Sequence, residues 1–179
     1  MNVKIGEIVH NCKHKRYKYS QYIISPLSSK LKKYLRCFEY FLYLTPNISF
    51  NRVKINEVKW EKLYEEFVNK DSNLRKYNVV FARTKKDVDY FSNLKLDGNN
   101  MCFECNRIVL YRSNNENRLA ALIRHIRNAL AHGHLYYKII NKKDVFFLED
   151  EDKGTITSRM ILSGNLLIEL KNIIEKNIK

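Results

Sequence analysis

The sequence predicts a mainly α-helical domain, a helical bundle with a small β-hairpin inserted before its last helix. Only five Gly and two Pro occur among 179 residues, and 45% of the residues are hydrophobic, a composition typical of a compact, ordered chain. Several long segments have apolar residues at three- and four-residue spacing, whereas β-rich runs are confined to one stretch near the C-terminus. We therefore expect a single domain over residues 1–179, with the hairpin insert at about 134–159.

Two helices are predicted in the N-terminal part. The first starts near Pro26, which suits a first helical turn, and ends near Thr45-Pro46. Its apolar residues follow helical spacing: Leu27, Leu31, Tyr34, Leu35, Phe38, Phe41 and Leu42. The second runs from Asn56, a possible N-cap, to about Lys70. Its apolar positions are Val58, Leu63, Tyr64 and Phe67.

The middle of the chain is ambiguous. Residues 74–91 fit a helix that is interrupted around Asn78 to Ala82, and a loop is predicted at Asp97 to Asn100. The run CNRIVLYR that follows fits either a short helix or an extended segment. Both alternatives remain open for this region.

A third helix contains the motif RHIRNALAHGHL, which begins at Arg124. Ser113 and Glu116 have the spacing of a capping box, and Gly133 occupies the place of a left-handed C-terminal residue. Between them the apolar residues recur every three or four positions: Leu119, Leu122, Ile123, Ile126, Ala129 and Leu130. The motif is therefore expected to end an amphipathic core helix.

The C-terminal segment combines the hairpin with a last helix. HLYYKIIN and DVFFLED are β-rich runs joined by the polar residues 141–144, and a further short β-like run, ITSRM, follows a turn at Asp152 to Gly154. Ser163 is predicted to cap the last helix. One apolar stripe follows it: Leu166, Leu167, Leu170, Ile173 and Ile174.

The charge of the chain favours an anionic partner. Lys and Arg number 33 against 19 Asp and Glu, which gives a formal net charge of +14, and a field of this sign attracts nucleic acid. AT-rich coding is an alternative explanation for many of the lysines. Because no apolar run has the length of a signal peptide or a membrane span, we expect a cytoplasmic protein with no membrane partner.

The four cysteines are interpreted as thiols of a reducing compartment. Cys102 and Cys105, in CFEC, have zinc-knuckle spacing, but a tetrahedral site needs a second pair of ligands. The loose candidates for that pair are His10, Cys12 and His14. We expect instead that Cys102 and Cys105 are small apolar residues at the edge of the core, with no metal and no cofactor.

The motif carries groups that bind phosphate and move protons. His132 can act as general acid or base, Arg127 can hold a phosphate, and Asn128 can position a hydroxyl or a phosphate oxygen. Because RNA supplies its own nucleophile, the 2′-OH, these groups suffice for cleavage without a metal. A non-catalytic alternative is that His132 only interacts with the helix dipole.

The helical wheel separates Arg127 from His132 by about 140° around the axis. Their convergence therefore needs either a loosened helix end at Gly133 or a second helix, which a two-fold dimer would supply.

Arg124, His125 and His134 are further candidate RNA contacts. The simpler interpretation makes His125 a surface residue and His134 the start of the hairpin.

The string IRNALAHGH resembles the signature of the HEPN superfamily, an Arg, four to six further residues and then a His, often with a polar residue directly after the Arg. The match falls on Arg127, Asn128 and His132, and the hairpin with its closing helix looks like the HEPN subgroup of bacterial plasmids and defence loci. The resemblance implies an all-helical bundle that dimerises with two motifs facing across a cleft. It also implies a metal-independent endoribonuclease, a toxin or defence effector that an antitoxin or other partner restrains, with Arg124 as an accessory phosphate contact.

Two other functions fit the same sequence. One is a non-catalytic module that binds RNA through basic residues and stacking tyrosines. The other is a helical module for interaction with another protein, in which the motif serves the interface.

Overall fold

The chain folds around a five-stranded mixed β-sheet with helices on both of its faces. The computed structural model describes residues 13–15, 17–18, 29–44, 57–72, 74, 78–95 and 100–177. Strands β1 (Tyr17–Lys18) and β3 (Asn100–Met101) form a separate two-stranded antiparallel sheet. The main sheet therefore comes entirely from residues after 78.

The main sheet contains strands β2 (Val79–Ala82), β4 (Arg107–Tyr111), β5 (Leu135–Ile140), β6 (Lys143–Asp152) and β7 (Thr155–Ser163). Their order across the sheet is β2-β4-β7-β6-β5. The pair β2 and β4 is parallel, and every other neighbouring pair is antiparallel. The three C-terminal strands form a meander, with β7 at the centre of the sheet.

Five helical segments accompany the sheet. Helix α1 (Leu35–Glu39) follows a 3-10 turn at Ser29–Tyr34 and continues as a π-helix at Tyr40–Leu44. The other helices are α2 (Glu57–Val68), α3 (Lys85–Lys95), α4 (Arg118–Ala131) and α5 (Gly164–Asn177). Helix α3 lies in the crossover between the parallel strands β2 and β4, the connection that parallel pairing requires.

The predicted helical bundle with a small hairpin insert is wrong. The expected hairpin exists as β5 and β6, joined by a tight turn at Asn141 and Lys142, both with positive φ. It is not an insert, because β7, β4 and β2 extend it into the central sheet of an α/β fold. In the ambiguous middle region, residues 79–82 form strand β2, residues 85–95 are helical, and CNRIVLYR contains strand β4. Ile108, Val109 and Leu110 of β4 are completely buried, and a strand buried on both faces loses the polar alternation that identifies it.

The two faces of the sheet have separate cores. One face packs against α1, α2, α4 and α5, in the largest hydrophobic cluster of the described residues. Its strand residues are Ile108, Leu110, Phe146, Leu148, Met160 and Leu162. On the opposite face, Val109 packs with Val88 of α3, and Phe147 and Ile161 pack with Phe103. Helix α4 thus lies between the sheet and α2, and its motif end is close to β6.

Most helix predictions are confirmed in type. The first predicted helix is helical over residues 29–44, although it changes between three helical geometries, and Pro26, Leu27 and the Thr45-Pro46 end lie outside the described residues. Residues 57–68 are helical as expected, while the cap Asn56 and the loop at 97–99 also lie outside them. In the last helix the Ser163 hydroxyl accepts from the Leu166 amide at 3.3 Å, as a cap does.

No helix in the described ranges combines the length and the apolar character needed to cross a bilayer.

Candidate functional site

A cleft of about 750 Å³ opens beside the C-terminal half of α4. Arg127, Asn128 and His132, the three residues of the motif, all line it. The opposite wall comes from the ends of β6 and β7, with Asp150 and Thr157 among its residues. The structure therefore brings the predicted catalytic residues into one concave site.

Both ends of α4 are fixed by local hydrogen bonds. Asn117, not Ser113, caps the start, because its side chain accepts from the Leu119 amide at 2.8 Å. The predicted capping box is wrong, since Ser113 and Glu116 lie in a turn before the helix. At the other end, the amide of His134 donates to the Ala129 carbonyl at 2.9 Å.

The C-terminal end of α4 has a regular helix cap. His132 is the C-cap residue, and Gly133 follows with φ of +73°, the left-handed conformation predicted for it. The amide of Gly133 donates to the Leu130 carbonyl at 3.3 Å, which completes a Schellman motif. The His132 amide still donates to the Asn128 carbonyl at 2.9 Å, and the His132 and Arg127 side chains line one cleft within a single chain.

The floor of the cleft is a buried carboxylate, Asp150. Its Oδ2 atom accepts three hydrogen bonds, from His125 Nδ1 at 2.6 Å, Thr157 Oγ1 at 2.9 Å and Asn128 Nδ2 at 3.2 Å. Burial on its own would raise the pKa of Asp150, but the hydrogen bond and charge of His125, together with Thr157 and Asn128, lower it below its usual range. Asp150 is therefore an anion at neutral pH.

His125 is a structural residue and not a surface one. It is completely buried, and its Nε2 lies 2.7 Å from the Tyr111 carbonyl oxygen while Nδ1 faces Asp150. Both ring nitrogens thus face oxygen atoms of the protein, those of the Asp150 carboxylate and the Tyr111 carbonyl. The expectation that His125 contacts RNA is wrong, because no atom of its ring is left for a ligand.

Most other charges of the cleft are paired. Arg124 makes two hydrogen bonds to the Glu116 carboxylate, at 2.7 and 2.8 Å, so it is less available as a phosphate contact than expected. Lys85 forms a salt bridge with Asp152, and its hydrogen bond lowers the pKa of that carboxyl group. The charges within each pair cancel locally, so the remaining ionisable groups determine the charge of the cleft.

Arg127 is different from its neighbours. Within the described residues its side chain makes neither a hydrogen bond nor an ion pair, and it is half-buried in the wall of the cleft. The imidazole of His132, which is an exposed residue, also has no hydrogen-bond partner among them. Both groups are thus open to a ligand that enters the cleft.

His134 lies near the site without lining it. Its ring centroid is 6.1 Å from that of His132, and its amide and carbonyl belong to the helix end and to a contact with the Glu149 amide. His134 therefore precedes β5, as the simpler sequence interpretation expects.

Sequence reasoning missed Asp150 as a site residue. Phe146, Leu148 and Asp150 alternate along β6 and share the face that packs against α4. A carboxylate on a core-facing position needs a buried partner, and this requirement is a signal that the sequence contained. Its partner could not be chosen from the sequence, because His125 is 25 residues away in the chain.

The chain was compared with protein-family models, with curated proteins and with solved structures, and none of them matches it.

Proposed function

We propose that the cleft beside α4 is the active site of a metal-independent endoribonuclease. The observation that carries the proposal is the joint presence of Arg127, Asn128 and His132 in one cleft, with Arg127 unpaired within the described residues. These residues also carry the resemblance to the HEPN signature. The bundle that this resemblance implies is not the fold of this chain, so we base the proposal on the motif and its cleft alone.

The charge distribution supports an anionic substrate. The carboxylates of Glu116, Asp150 and Asp152 are each held by a cation of the protein, so their repulsion of a phosphate is reduced. The guanidinium of Arg127 has no such partner in the described chain and can bind a phosphate with two parallel hydrogen bonds. The net charge of +14 favours the approach of RNA to any part of the surface.

Each motif residue has a defined part in the reaction. His132 removes the proton from a ribose 2′-OH, whose oxygen attacks the adjacent phosphorus. The bond from phosphorus to the 5′-oxygen breaks, water protonates that oxygen, and the products carry a 2′,3′-cyclic phosphate and a 5′-OH. Arg127 stabilises the charge on the phosphoryl oxygens. Asn128, held by Asp150, keeps its amide in one orientation towards the substrate.

A single chain contains the whole motif in one cleft, so the proposed reaction does not depend on a second copy. The homodimer, the antitoxin partner and the toxin or defence role that the resemblance implies remain predictions. The mass of the protein in solution, compared with 21.5 kDa for one chain, tests the dimer directly.

The proposed activity is tested with end-labelled mixed RNA in EDTA. We expect cleavage by the wild-type protein and by His134→Ala, and no cleavage by His132→Ala. His134→Ala is the matched control, since it removes the neighbouring imidazole without removing a residue that lines the cleft. Fragments should end in a 2′,3′-cyclic phosphate.

Two outcomes would contradict the proposal. Cleavage that persists in His132→Ala would remove this residue from the mechanism. Intact RNA with every protein, when the same RNA is retarded on a native gel, would favour the non-catalytic RNA-binding module. Unfolding midpoints of the variants should be measured beside these reactions, so that loss of activity is not confused with loss of structure.

A further inference from the structure

The small sheet formed by β1 and β3 brings two distant parts of the chain together. Its antiparallel register pairs Tyr17 with Met101, so residues before β1 lie next to residues after β3. His14 is thereby placed against Cys102 and Cys105. This cluster is outside the cleft beside α4, and the proposed function does not use it.

The three side chains have the spacing of metal ligands. The Nδ1 atom of His14 lies 3.3 Å from the Cys105 sulfur and 3.6 Å from the Cys102 sulfur, and all three atoms lie within 4.8 Å of one another. Ligands of a tetrahedral zinc ion with one nitrogen and one sulfur are separated by about 3.6 Å, as the bond lengths require. The two observed distances from nitrogen to sulfur therefore agree with the separation of nitrogen and sulfur ligands in such a site.

The segment that carries the two cysteines is held in place. The Phe103 ring between them is 1% exposed and packs 5.6 Å from the Tyr136 ring. The Arg107 guanidinium donates to the Cys102 carbonyl, and the Asn141 side chain donates to Glu104 at 2.8 Å. Both thiols are buried and neither forms a disulfide within the described chain. Such support is what keeps metal ligands in position before the metal binds.

We propose that His14, Cys102 and Cys105 bind a zinc ion. Two thiolates and one imidazole form a donor set that selects zinc over magnesium or calcium. The ion would fix the N-terminal segment to the edge of the core, a role that apolar cysteines alone cannot perform.

Metal content tests the site on the full chain. We expect one zinc ion per chain in the purified wild-type protein, measured by mass spectrometry, and almost none in Cys105→Ser. Cys37→Ser is the matched control, because Cys37 lies in the main core with its thiol 3.5 Å from the Leu167 carbonyl, which a hydroxyl can also contact. This control should retain the zinc.

Cobalt provides a second measurement on the wild-type chain, which avoids variants that fail to fold. Cobalt in place of zinc should show the intense visible bands of tetrahedral coordination and thiolate charge-transfer absorption in the near ultraviolet. A His14→Ala spectrum identical to that of the wild type would remove His14 from the site. A wild-type protein that takes up neither zinc nor cobalt would overturn the proposal and leave a hydrogen-bonded cluster.

Proteolysis reports on the role of the ion. A strong chelator should accelerate tryptic cleavage after Lys13 and Lys15, which flank His14, and added zinc should restore protection. Equal cleavage with and without chelator would contradict the anchoring role. The zinc content and the cobalt spectrum are measured without RNA, so failure of the zinc proposal and failure of the proposed function are distinguishable.

Discussion

The Nδ1 atom of His125 lies 2.6 Å from Oδ2 of Asp150, and both residues are almost completely removed from water. The second nitrogen of the ring reaches the backbone carbonyl of Tyr111 at 2.7 Å. One imidazole ring thus connects α4 to β4 and β6 beneath the cleft. Since Asn128 donates to the same carboxylate oxygen, the pair also fixes a residue of the motif.

Loss of Asp150 should destabilise the fold strongly. Asp150→Ala leaves the buried His125 ring without its counter-charge, and breaking a buried ion pair costs about 3–5 kcal/mol. Glu151→Ala, at the next and exposed position, should change the free energy of unfolding by less than about 0.5 kcal/mol. Urea unfolding at neutral pH measures both. Similar values for the two variants would show that the pair does not stabilise the fold.

The contribution of Asp150 should disappear in acid. Its pKa is lowered in the folded state, so its stabilisation is present above the unfolded value of about 3.9 and is lost as the pH falls further. The difference in unfolding free energy between wild type and Asp150→Asn should therefore shrink between about pH 5 and pH 3. Urea titrations across this range test the sign. A difference that stays constant or grows in acid would contradict the lowered pKa.

Gly164→Ala should destabilise the protein although it lies in a helix. A Cβ atom at this position would lie 2.6 Å from Cε1 of Tyr34 and would overlap its Cζ and Oη atoms. Tyr34 is buried and its hydroxyl donates to Asp144 at 2.7 Å, so it cannot move freely. Overpacking of this kind costs about 1–3 kcal/mol, more than the gain of up to about 1 kcal/mol from helix propensity.

Asn165→Ala provides the control for this substitution, because the next residue of α5 is exposed. Its thermal unfolding midpoint should remain close to that of the wild type. If Gly164→Ala raised the midpoint, α5 and Tyr34 would have to be further apart than the structure places them.

The salt dependence of RNA binding should distinguish Arg127 from Arg124. In a His132→Ala background, which prevents cleavage, Arg127→Ala should reduce the slope of log K against log salt by about 0.7 for one single-strand phosphate contact. Arg124→Ala should leave that slope nearly unchanged, since Glu116 already neutralises Arg124. Binding titrations at several salt concentrations measure both slopes. Equal slopes for the two variants would contradict the assignment of Arg127 to the phosphate.

Local signals account for what was predicted correctly. Ser163 caps the last helix, Gly133 ends α4 in the left-handed conformation, and the hairpin turn lies at residues 141–142. Each of these features depends on a few neighbouring residues, so short sequence patterns contain the necessary information. The cap of α4 was assigned wrongly, because Ser113 and Asn117 are both good caps and packing against α2 selects the second.

The predicted fold class is wrong for a different reason. Strand β4 is mostly apolar and buried on both faces, and in β7 the polar residues 157–159 precede the apolar residues 160–162, so neither strand shows clear alternation. Pairing of β4 with β7 joins residues about fifty positions apart, and no local pattern specifies such a partner. The main sheet was therefore mistaken for a small hairpin.

The sequence by itself determined the motif on the last turns of α4, the residue types that can bind phosphate and transfer a proton, and the charge that attracts an anion. Only the tertiary structure decided which of these groups are available. Burial against β6 makes His125 a structural partner of Asp150, and Glu116 occupies Arg124, whereas Arg127 and His132 remain open to the cleft. The reason is physical: availability depends on burial and on partners distant in the chain, which residue spacing along one helix does not encode.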